Sequence, residues 1–185
     1  MRAFIAIEID PEVKKKLTRM IRHFEKLSSR VKWIKPSAMH LTLKFLGNID
    51  ETKADQLKNI LDKVSKKHFC FDLSCSGIGT FPLKSKNPKV IWVGIEDNSF
   101  IKGVYADIET EAEKIGFSKE KRSFHPHLTL GRVKKKAEIQ KLVPELERVE
   151  NKDFGKTQVN GLTLFKSTLT PQGAVYDILF KSSLR

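Results

Sequence analysis

The tetrapeptide His-Leu-Thr-Leu is written twice in this chain, at 40–43 and again at 127–130, 87 positions apart. By itself this constrains little: a chain of ordinary composition and this length repeats some tetrapeptide by chance with odds of roughly a few tenths. The neighbouring matches add the constraint. Ile7-Glu8 returns as Ile95-Glu96, 88 positions later, and Gly77 and Phe81 of "SGIGTF" return as Gly161 and Phe165 of "NGLTLF", 84 positions later. Three matches in the same order at nearly one offset imply an internal duplication, about 1–84 and 88–170, with a closing strand over 174–183. The chain must then build two similar lobes facing each other across a pseudo-two-fold axis. Its 185 residues suffice for one compact domain of that kind, spanning 1–185.

The hydrophobic pattern fills in the lobes. Residues 2–9, "RAFIAIEI", read as a strand, and Asp10-Pro11 then opens a helix with an N-cap and a proline at the first helical position. Val13, Leu17, Met20, Ile21, Phe24 and Leu27 line one face of it. "HLTLKFLG" is the next strand. Asp50 caps a second helix to about 67, and 69–81 is a strand punctuated by glycines. Residues 82–89 form a loop held extended by Pro82 and Pro88. Residues 90–96 form a strand, and 99–116 a third helix stopped by Gly116. "HLTLGRV" is a strand, 137–150 a helix interrupted or restarted at Pro144, and 158–169 with 174–183 a closing hairpin across "TPQG". The whole is an α+β fold: bilobal, with two pseudo-symmetric antiparallel sheets flanked by helices around a central cleft.

A strand sends alternate side chains to opposite faces. In each HLTL the leucines (Leu41, Leu43, Leu128, Leu130) therefore enter the core, while His40 with Thr42 and His127 with Thr129 face a common surface. Two-fold symmetry brings both pairs into one cleft. Histidine changes protonation near neutral pH, so two of them can divide the work of acid and base. Two threonine hydroxyls can donate to the non-bridging oxygens of a phosphate. This is equipment for in-line displacement at phosphorus without a metal.

The formal net charge of +13 points to a polyanionic partner, most often nucleic acid. No apolar stretch is long enough for a membrane helix, and "MRAFIAIEIDPEVKKK" has no cleavage signal of an exported chain. Cys70 and Cys75 are five apart and point to opposite faces of a strand, which disfavours a mutual disulfide and places the chain in the cytoplasm. Abundant Lys and Glu beside sparse Asn and Gln suit a heat-adapted protein.

The paired motifs in their context, "MHLTLKFLG" and "HPHLTLGR", resemble the two-histidine phosphoesterase superfamily, and within it the RNA 2',3'-cyclic phosphodiesterase branch, also called 2'-5' RNA ligase. "RAFIAIEID" and "GTFP" extend the likeness over nearly the whole chain. The resemblance implies opening of RNA 2',3'-cyclic phosphate ends to 2'-phosphate, and reversible 2'-5' joining in some members. It implies His40 as general acid on the departing 3'-oxygen and His127 as general base for water, with Thr42 and Thr129 on the phosphate. It further implies a substrate-binding Arg132. Neither a metal nor a cofactor is expected, and the sequence is silent on a nucleotide cofactor. Strict alternation puts Arg132 on the leucine face, unless a bulge permitted by Gly131 turns it inward. The expected partner is RNA bearing 2',3'-cyclic phosphate ends, with no membrane and no obligatory protein partner. A duplicated chain that carries its own symmetry is expected to be a monomer.

Three alternatives stand against this reading. One is a non-catalytic RNA- or nucleotide-binding module. Another is a phosphodiesterase of a small cyclic nucleotide, against which the charge excess weighs. The third is a metal-dependent hydrolase using His125, His127 and His40, although the adjoining residues supply no Cys, Asp or Glu ligand. His23 reads as a surface residue and His68 as a helix-end cation beside the dipole. Cys75 reads as a buried inert thiol. Trp33, Phe45 and Trp92 could stack on a base or pack in the core. The lysine runs at 84–89 and 134–136 become RNA contacts only if they rim the cleft.

Overall fold

The structure, a computed structural model, describes residues 1–28, 30–83, 87–96, 98–134, 141–171 and 173–185. Its strands are β1 (Arg2–Glu8), β2 (Val31–Trp33), β3 (His40–Asn48), β4 (Phe71–Phe81), β5 (Val90–Ile95), β6 (His127–Val133), β7 (Asp153–Val159), β8 (Gly161–Thr170) and β9 (Gly173–Ser183). The helices are α1 (Pro11–Glu25), α2 (Glu51–Ser65), α3 (Ser99–Lys114) and α4 (Val143–Arg148). Local chemistry sets their ends. Asp10 caps α1 through the Glu12 amide, Asp50 caps α2 through Lys53, and Asn98 caps α3 through Ile101. The apolar stripe of α1 is buried as its spacing predicts.

All strand pairings are antiparallel and make two sheets, ordered β3-β1-β8-β9 and β2-β6-β5-β4-β7. Apart from β2 at one edge, the orders correspond: β3 to β6, β1 to β5, β8 to β4, β9 to β7. Each sheet thus takes two strands from the other half of the chain. β4 precedes the second HLTL strand in sequence yet lies in its sheet, and β8 lies in the first. The core runs between sheets and helices, and Leu41, Leu43, Leu128 and Leu130 are all in it.

Two sequence expectations shift, and one strand, β2, is added. The span 158–169 is two strands: Gln158 and Val159 end β7, which pairs with β4, and β8 begins at Gly161. β2 is too short to show a period. Of the last helix the structure describes α4, which begins at Val143 with Pro144 in its first turn and ends at Arg148, short of 150. Residues 135–140 of the expected helix 137–150, and 84–86 of the lysine loop, lie outside the described residues. Among the described residues, no helix is long and apolar enough to cross a membrane.

Candidate active site

β3 and β6, the strands carrying the two HLTL copies, pack against each other between the sheets. Each begins with its histidine and continues through a threonine on the same face, both residues half-buried. The two imidazoles are tethered alike. His127 Nδ1 lies 2.7 Å from the His125 carbonyl oxygen, and His40 hydrogen-bonds the backbone of Ala38, also two residues upstream. A carbonyl only accepts, so the ring nitrogen must donate; on His127 this leaves the Nε2 lone pair free. The Thr42 and Thr129 hydroxyls bond to no other described residue.

Both strands then break step. Thr42 faces Ala6 and Lys44 faces Ile5, so Leu43 has no partner on β1. Thr129 faces Trp92 and Gly131 faces Ile91, so Leu130 has no partner on β5. Each bulge inserts one residue and reverses the alternation beyond it. On β3, Lys44 turns into the interior and Phe45 comes out on the histidine side, 72% exposed. On β6, Gly131 is buried and Arg132 comes out. The extra residue is Leu130 and not Gly131. The glycine has another cause: a Cβ there would stand 2.8 Å from the Trp33 ring and 2.6 Å from Val31, the β2 side chains laid over it.

Aromatic rings back each histidine. His40 has Phe4 at 4.6 Å and Phe165 at 5.9 Å between ring centroids, and Tyr176 edge-on at 5.0 Å. His127 has Phe81 at 5.1 Å and Trp92 at 6.2 Å. Trp92 lies across Gly79, where a Cβ would come within 2.1 Å of the indole. Trp92 is therefore a cleft wall, whereas Trp33 stacks on Phe24 at 5.8 Å and belongs to the core.

Burial and surrounding cations act on both imidazoles in one direction. Desolvation pushes His40 down from 6.5 to about 4, and Lys14 adds to it against the opposing Ala38 hydrogen bond. His127 is lowered as well, by desolvation first, then by His125 and Arg132, against its bond to the His125 backbone. Arg132 also acts on the Tyr176 phenol, as does Arg2. Arg132 therefore has His127 on one side and, through Tyr176, the surroundings of His40 on the other. An anion entering here meets Lys14 and Arg132, two free hydroxyls and two neutral imidazoles.

The remaining sequence candidates lie elsewhere. His23 is exposed, 3.6 Å from Glu145, and His68 pairs with Asp107 at 3.0 Å. Both cysteines are free; burial pushes the Cys75 thiol up to about 11, so it stays protonated and inert at neutral pH. Among the described residues, no group of three or more His, Cys, Asp or Glu side chains could hold a metal ion. Sequence reasoning missed Tyr176, Phe4, Phe81, Phe165 and Lys14. The repeat held a signal for Phe81 and Phe165, which occupy matching positions, but none for Tyr176, which has no counterpart.

A family model described as LigT-like phosphoesterase matches residues 7–92 and 96–176. The chain is 33% identical over 179 residues to the RNA 2',3'-cyclic phosphodiesterase of Methanocaldococcus jannaschii, covering 97% of this chain and 98% of that one. It is 34% identical over 184 residues to the protein of that name from Thermotoga maritima, covering 98% and 94%. The crystal structure of TT0787 of Thermus thermophilus superposes with a TM-score of 0.85 at 28% identity, covering 100% of this chain and 98% of that one.

Proposed function

The chain belongs to the LigT-like phosphoesterases, and from that premise we propose that it hydrolyses RNA 2',3'-cyclic phosphate ends to 2'-phosphates by two-histidine acid/base catalysis. The observation that carries this is the matched pair of strands β3 and β6, each presenting a backbone-tethered imidazole and an unpartnered threonine on one face.

Thr42 and Thr129 donate to the non-bridging oxygens, and Arg132 neutralises the developing charge. His127, its Nδ1 committed to the His125 carbonyl, takes the proton of an attacking water at Nε2. The bond from phosphorus to the 3'-oxygen breaks, and His40 supplies that oxygen with a proton. His40 is neutral in the empty cleft, so the phosphate itself must raise its proton affinity; an anion within a few ångströms does this. A 5'-hydroxyl in place of water gives a 2'-5' linkage, which accounts for joining as the same chemistry with another nucleophile. The roles of the two histidines rest on the family resemblance. The enzyme acts as a monomer, in the cytoplasm.

The test is incubation of RNA bearing a 2',3'-cyclic end with the protein in chelator, read by phosphorus NMR. A 2'-phosphomonoester is expected. His40→Ala and His127→Ala should each lose roughly 10²–10⁴ in rate, with circular dichroism unchanged. Turnover near the unmutated rate in both variants refutes the proposal. Salt-sensitive binding without product supports the non-catalytic module instead.

A further inference from the structure

Beyond the histidine pair, the cleft face of the first sheet carries a polar row that the reaction does not use. Arg2 lies directly across from Asn48 on β3 and from Ser167 on β8, and Ser167 lies across from Tyr176 on β9. Directly opposed residues share a face. Arg2 is two residues from Phe4 and Ser167 two from Phe165, so the row stands on the same face as the rings behind His40. On the second sheet, Lys32 lies directly across from Arg132. Its Nζ reaches over to the tip of the β8–β9 hairpin, 3.7 Å from where a Cβ on Gly173 would stand. The hydroxyls of Ser167 and Tyr176 bond to no other described residue; Arg2 lies across from Ser167, Arg2 and Arg132 both act on the Tyr176 phenol, and Lys32 stands beside Arg132 at the hairpin tip. Among the described residues of this row there is no carboxylate.

From this juxtaposition we propose that Arg2, Lys32, Ser167 and Tyr176 form a second anion subsite, which takes the phosphodiester immediately upstream of the cyclic end. The inference rests on the activity proposed above and assigns the substrate class within it: an RNA of at least two nucleotides in preference to a cyclic mononucleotide. The placement follows from Tyr176. Its ring is 5.0 Å from that of His40, which sets the row next to the histidine that the proposed reaction uses. Cations and hydroxyls without a carboxylate select a phosphate oxygen. Burial pushes the Tyr176 phenol up, and Arg132 and Arg2 oppose that rise, which agrees with both cations standing near it.

The test compares three substrates ending in 2',3'-cyclic phosphate: a mononucleotide, a dinucleotide, and the same dinucleotide with a neutral methylphosphonate linkage. The unmutated protein should favour the charged dinucleotide by roughly ten- to a hundredfold in kcat/KM over the other two, the size of a charge-assisted contact. In Arg2→Gln with Lys32→Gln that preference should collapse, with kcat/KM on the mononucleotide unchanged. An equal fall on all three substrates, or no preference in the unmutated protein, overturns the subsite. Binding of the corresponding 2'-phosphate dinucleotides, charged and methylphosphonate, separates the two proposals. Discrimination in binding with no hydrolysis of any substrate sinks the activity and leaves the subsite standing; hydrolysis without discrimination does the reverse.

Discussion

His40 ties the chemistry of the cleft to the stability of the fold. The folded chain keeps this imidazole neutral down to about 4, whereas an unfolded one takes up a proton near 6.5. Between those values the unfolded state binds more protons, so this contribution to stability is present above 6.5 and is lost as pH falls toward about 4. Melting temperatures followed by circular dichroism should decline over that window, and His40→Gln should flatten the decline. Parallel curves for both proteins would contradict the assignment. The proposed mechanism adds a complementary constraint: it needs one histidine protonated and the other not, so kcat/KM should follow a bell in pH. Gly79 is a second residue-scale test. Because Trp92 lies where its side chain would be, Gly79→Ala must displace the indole beside His127. We expect a changed tryptophan emission and about a tenfold or greater loss of turnover, since displacing a catalytic group by an ångström is enough for that.

At the scale of the element, the bulges decide what the motif strands present. Without them, Phe45 and Arg132 would point into the core and Lys44 into the cleft. The first bulge sends Lys44 inward instead, to Glu109 on α3 at 2.6 Å and to the Ser118 carbonyl at 2.9 Å, with both charged side chains almost fully buried. Glu109 also accepts from the Glu120 amide at 2.9 Å. The pair therefore links β3 to the segment that leads into the second motif. Lys44→Met alone leaves a buried carboxylate uncompensated and should cost about 3–5 kcal/mol of unfolding free energy. Lys44→Met with Glu109→Leu should recover most of that loss in urea titrations; a double variant no more stable than the single would refute the account.

At the scale of the molecule, the exchange of β4 and β8 makes each sheet depend on both halves of the chain. Neither half owns a complete sheet, so the lobes should not melt separately. Calorimetry should give one transition with equal calorimetric and van't Hoff enthalpies; two resolved transitions would argue against this. Much of the molecule was legible in the residues. The HLTL alternation put His40, Thr42, His127 and Thr129 on one face of their strands, and caps and apolar stripes marked α1, α2 and α3, because these depend on neighbours a few positions away. Which strand pairs with which was not legible. The repeat led to an expectation of two equivalent halves, whereas each sheet combines strands from both ends of the chain. Nor could Tyr176 be placed beside His40, or Arg2 across from Ser167, since only the registers of β1, β8 and β9 bring them there. The sequence alone determined which histidines and threonines share a face and the side of the strand each occupies, which follows from a two-residue period. The tertiary structure alone decided that the two strands meet, that a bulge turns Arg132 toward them, and that other strands complete the cleft, because these follow from pairing between segments far apart in the chain.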